Sequence, residues 1–178
     1  MRVITRLTVV LAGAAAVLSV SAGALAGVHP STSNQYCFAS AQGCIRIQNN
    51  GGNGSAVVVG ATDINGPAEN ASFNPTTTYN FHGQTYSAGT VQFTGHTNEC
   101  LALDSQLVLA KTAVCNATGT IWVPVNMNGA IQWLSRPATE ANGADSYLEA
   151  PVAADGTRFR IAGNGQGFER FKSCSGNC

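Results

Sequence analysis

Charge is scarce in this chain. Only 10% of its 178 residues are Asp, Glu, Lys or Arg, with nine basic against nine acidic. Arg2 and Arg6 fall in the N-terminal leader, so the rest holds seven against nine, a net charge near −2. A basic stripe, which phosphate-backbone binding requires, is missing, and nucleic acid is excluded as a partner. No apolar run after the leader is long enough to span a bilayer. Helical periodicity of useful length is also missing. So are a GxSxG nucleophile elbow and an HExxH pair. His29, His82 and His96 are scattered, and the latter two sit in polar stretches, "NFHGQ" and "TGHTNE". No catalytic residue and no cofactor is expected.

The leader itself is well marked. Arg2 and Arg6 precede an almost wholly apolar run from Leu7 to Val20, and Ala24-Leu25-Ala26 offers small residues for cleavage. This is the pattern of a secretory signal peptide over residues 1–26, so the protein is expected to be secreted and extracellular. Residues 27–35 read as a polar tail. Residues 36–178 read as one domain, long enough for a real core.

All six cysteines (Cys37, Cys44, Cys100, Cys115, Cys174, Cys178) follow the leader. An even count in an exported chain reads as disulfides. Cys100 and Cys115 flank one short hairpin, and closing that loop contributes about 3 kcal/mol in the chain-entropy model. The other four could pair locally or tie the termini together. Their C-x6-C and C-x3-C spacings fit zinc motifs poorly, so no metal is expected.

Short apolar runs fill the domain: "CIRIQ", "AVVVGA", "GTVQF", "CLAL", "LVLA", "IWVPV", "AIQWL" and "RFRI". They are rich in β-branched and aromatic residues and separated by Gly, Asn, Asp and Pro. That pattern predicts an all-β sandwich or barrel. A repeat narrows the choice. Phe73, Trp122 and Phe171 end similar segments at intervals of 49 residues. Upstream lie "QGCIRIQ", "NECLALD" and "DSYLEAP", led by Cys44, Cys100 and Tyr147. "GTVQF" and "GAIQWL" form a third recurring element, with "NQYCF" in that place in the first unit. Three four-stranded units sharing one core make a β-trefoil, with Phe73, Trp122 and Phe171 in equivalent interior slots. Such an arrangement buries the apolar face that one unit alone cannot cover.

The middle unit, "CLALD" with Cys115 and "TIW", resembles a repeat of the ricin B-type β-trefoil lectins, the family 13 carbohydrate-binding modules. The resemblance implies a β-trefoil, non-catalytic binding of an extracellular glycan or polysaccharide, and no cofactor. It also implies an acidic residue two places after each lead residue. Those places hold Arg46, Ala102 and Glu149, and the glutamine places hold Ala71, Thr120 and Glu169. The scaffold features are kept better than the ligand contacts. The alternative is therefore a trefoil that has lost sugar binding and serves as a protein-interaction or inhibitor module.

Candidate carbohydrate contacts follow from the third unit. Glu149 is the acid, Phe159 a stacking face, Asn164 and Gln166 the loop amides, and Glu169 the glutamine-place residue. Strand alternation gives Phe159 a second reading, in the core beside Ile161. Glu149 and Glu169 also have a second reading, as partners of Arg158, Arg160 or Arg170. Asp104 in the middle unit reads either as a shifted sugar contact or as a turn cap.

Overall fold

The computed structural model describes residues 34–48, 51–60, 70–163 and 167–174. The leader, Asn164, Gln166 and Cys178 lie outside the described residues. The β-branched runs form strands as expected: β1 (Asn34–Phe38), β2 (Cys44–Ile47), β3 (Val57–Gly60), β4 (Asn70–Phe81), β5 (Gln84–Phe93), β6 (Glu99–Leu103), β7 (Ala110–Val114), β8 (Trp122–Met127), β9 (Ala130–Ser135), β10 (Tyr147–Glu149), β11 (Arg160–Ala162) and β12 (Phe171–Cys174). The described residues are all-β, with one short helix. β1 begins at Asn34, two residues inside the stretch read as a tail; Gln35 already pairs with Cys174 and with Asn70.

The ladder closes on itself. β1 pairs with β4, β4 with β5, β5 with β8, β8 with β9, β9 with β12, and β12 with β1, all antiparallel. Closure leaves these six strands a partner on both sides, so few backbone groups face water unpaired. Three hairpins, β2–β3, β6–β7 and β10–β11, branch from β1, β5 and β9. Their branch points are Cys37↔Cys44, Gln92↔Cys100 and Leu134↔Tyr147. Cys44, Cys100 and Tyr147, the lead residues of the sequence repeat, thus hold one register. The hairpins meet each other through single bridges, Ala56↔Lys111, Leu109↔Arg160 and Val58↔Arg158. The pairing pattern recurs every fourth strand.

Phe73 does not share the register of Trp122 and Phe171. Trp122 opposes Gly89 and Ser135, and Phe171 opposes Ile131 and Phe38. The residue in the same register of β4 is Ala71, which opposes Asn34 and Phe93. Phe73 lies two residues further on. It is still buried with Trp122 and Phe171 in one apolar core, where its ring packs on Trp133 at a centroid distance of 5.7 Å. The Trp122 indole N–H donates to the Leu101 carbonyl at 2.8 Å, so this large side chain is buried without an orphaned donor.

Two hairpin tips carry positive φ at both central residues, His82-Gly83 (49° and 76°) and Asn128-Gly129 (54° and 82°). This is the turn geometry that matches the twist of paired strands. The β4–β5 hairpin is long, with a register shift between Pro75 and Thr77, and a second apolar cluster lies beneath it: Phe81, Ala88, Val123, Val125, Leu134 and Tyr147. The helix, α1 (Arg136–Asn142), was not expected. It is too short for a periodicity search. Its ends are nevertheless written locally: the Ser135 hydroxyl accepts from the Ala138 N–H, a proline sits in the first turn, and Gly143 ends it.

Cys100 and Cys115 form the expected disulfide. Cys37 lies opposite Cys44 across the β1–β2 branch point, and its sulfur is placed to bond with either Cys44 or Cys174. The Cys44 and Cys174 sulfurs are 3.9 Å apart. Either bond at Cys37 lies beside the seam where β12 meets β1.

Candidate functional site

The three acid places lie on the first strands of the three hairpins, β2, β6 and β10, and all three are inside the protein. Arg46 is 5% exposed, with Nη1 3.6 Å from Asp155 Oδ1. Ala102 is fully covered. Glu149 is also fully covered; its Oε1 accepts from Arg160 Nε and Nη2, both at 2.9 Å. Glu149 and Arg160 are direct cross-strand partners, so the pair is built into the register of β10 and β11. The ion-pair reading of Glu149 therefore matches the geometry, and this carboxylate has no face toward solvent.

Phe159 is a core residue here. Its ring is fully buried, 5.9 Å from Phe38 and 5.9 Å from Phe171. Its backbone N–H donates to Val57 O and its carbonyl accepts from Ala110 N–H, each at 2.9 Å. A fully buried ring has no surface for a sugar to stack on, so Phe159 serves the core and not a stacking platform. Strand alternation, which placed Phe159 on the inner face, is the physical reason. Glu169 is 3% exposed and lies near enough to Tyr147 for their charges to interact. Asn164 and Gln166 fall outside the described residues.

Asp104 caps the β6–β7 turn. Its Oδ1 accepts from the Val108 N–H at 2.9 Å, and its backbone N–H donates to Leu109 O at 2.9 Å. Burial pushes its carboxyl up, but the N–H groups of Val108, Leu109 and Gln106 and the charge of Arg158 outweigh this and hold it below the usual value.

Tyr147 is the strongly perturbed group. Burial, then the neighbouring charges of Asp145, Glu169 and Tyr86, push its phenol up to about 12. The unfolded chain loses this proton near pH 10. Between those values the folded state holds the proton that the unfolded state has released, so stability falls as pH rises through that window. Urea midpoints at pH 9 and pH 11 should show the decline in the parent protein and a smaller one in Tyr147→Phe. An equal decline in both would exclude Tyr147 as its source.

One feature escaped the sequence reading. A shallow depression of about 480 Å³ lies at the base of the β4–β5 hairpin, lined chiefly by Ser72, Asn74, Gln92, Thr94, His96 and Thr97. The available signal was an absence: Asn70 to Asn98 contains no Asp, Glu, Lys or Arg.

Comparison of the chain with protein-family models, with curated proteins and with solved structures finds no match in any of the three.

Proposed function

We propose that this is an exported, non-catalytic carbohydrate-binding protein built as a β-trefoil. The observation that carries the reading is the closed six-strand ladder with three branching hairpins, led at one register by Cys44, Cys100 and Tyr147. The sequence repeat, the resemblance of the middle unit to ricin B-type modules and the leader support it. The low charge and the supply of Asn, Gln, Ser and Thr suit a neutral, hydroxyl-rich ligand.

The test is a glycan array probed with the purified chain. The expected result is saturable binding to neutral glycans that survives Glu149→Gln, since that carboxylate is enclosed. A second reading has its own observation. Arg46, Ala102 and Glu149 are all packed inside, which favours a trefoil that has given up sugar and docks a protein. Silence across the array, together with a stoichiometric protein partner recovered from the surrounding medium, decides for that reading.

A further inference from the structure

We propose that the depression at the base of the β4–β5 hairpin is a saccharide-binding site separate from the three acid places; the proposal rests on the carbohydrate reading above. Ser72 and Gln92 are cross-strand partners, and Asn74 follows Ser72 by two residues. Side chains alternate along a strand, so all three share one face. Asn74 Nδ2 donates to Gln92 Oε1 at 3.3 Å. That bond uses one donor and one acceptor and leaves Asn74 Oδ1 and Gln92 Nε2 at the rim. Turning both amides over exchanges the atoms but leaves one acceptor beside one donor. Two neighbouring hydroxyls on a sugar ring, one donating and one accepting, satisfy that pair.

The surroundings select against other ligands. The Asn70–Asn98 stretch that supplies the lining has no Asp, Glu, Lys or Arg, and its one imidazole in the lining, His96, already faces Glu99, so the site offers no fixed charge to a phosphate or carboxylate ligand. Phe93, the one aromatic in the lining, is 1% exposed, so it offers no open ring face to an aromatic ligand. Its volume falls in the range of small-molecule sites.

The site is also held in place from a second part of the chain. His96 Nδ1 lies 3.5 Å from Glu99 Oε2, and Glu99 Oε1 accepts the Gly52 N–H at 2.8 Å. Gly51, at φ +98°, lies so close to the His96 ring that a Cβ there would collide with it. The loop around Gly51 and Gly52 thus seats the imidazole at the edge of the depression before any ligand arrives, which lowers the ordering cost of binding.

Affinity electrophoresis of the full chain through gels containing soluble xylan, galactomannan or β-glucan tests the assignment. Retardation is expected in at least one gel, with affinity reduced tenfold or more in Asn74→Ala/Gln92→Ala. Both side chains lie at the surface, and near-UV circular dichroism checks that the fold is kept. Gly51→Ala should weaken retardation as well, because it displaces His96 while leaving Asn74 and Gln92 in place. Retardation unchanged in the double variant overturns this site and leaves the carbohydrate reading standing. No retardation of the parent chain in any gel, with no glycan bound on the array, overturns both.

Discussion

Phe159→Ala is expected to destabilise the folded state by about 4 kcal/mol, the usual cost of emptying a large buried aromatic position. The ring is fully covered and makes a triangle with Phe38 and Phe171, its centroid 5.9 Å from each and theirs 5.6 Å apart. Removing it opens a hole in the middle of this cluster. The surrounding strands cannot close the hole, because the backbone of Phe159 is tied on both sides, to Val57 and to Ala110. Domains of this size are stable by only about 5–15 kcal/mol, so the variant should unfold at much lower denaturant. Phe159→Leu keeps most of the volume and should cost about 1 kcal/mol. Urea unfolding of the three proteins gives both numbers. A loss below about 1 kcal/mol for the alanine variant would mean that the ring is exposed. The stacking role for Phe159 would then return. Reduced glycan binding by Phe159→Ala is therefore no evidence of contact unless the variant is shown to be folded.

Much of the architecture could be read from short runs of residues. "CIRI", "VVVG" and "CLAL" became β2, β3 and most of β6, and the lead residues Cys44, Cys100 and Tyr147 share a register. The placement of Phe73 was off by two residues for a definite reason. A strand has period two, so a slip of two returns every side chain to the same face, and only a slip of one exposes the core. Apolar patterning is blind to the first error. The same two-residue slip affected "GTVQF" against "GAIQWL": the register aligns Gln92 with Leu134 and Thr90 with Gln132. Site residues were harder to read for a different cause. A carboxylate two places after a lead residue has the same sequence signature whether it faces water or its cross-strand arginine. Only the packing of β10 against its neighbours shows that Glu149 is inside. The hairpin-base depression was invisible because its residues are ordinary polar ones, brought together by the β4–β5 register and by the distant Gly51–Gly52 turn.

Arg160→Ala should cost about 3 kcal/mol at neutral pH, out of proportion to the half-exposed position of the arginine. The asymmetry of the pair is the reason. Arg160 keeps 46% of its side chain exposed and can be hydrated without a partner, whereas Glu149 keeps none. One carboxylate oxygen accepts both arginine bonds; the other, Oε2, is buried without a hydrogen-bond partner among the described residues and lies against Gly167. Deleting the guanidinium leaves a buried charge with no other hydrogen-bond donor among the described residues. Removing both charges, as in Glu149→Leu/Arg160→Leu, should recover most of the lost stability, because an apolar pair of similar volume carries no desolvation penalty. If the single variant costs less than about 1 kcal/mol, the pair behaves as an exposed one. Glu149 would then have access to water, and the acid place of the third hairpin would again be open to a sugar hydroxyl.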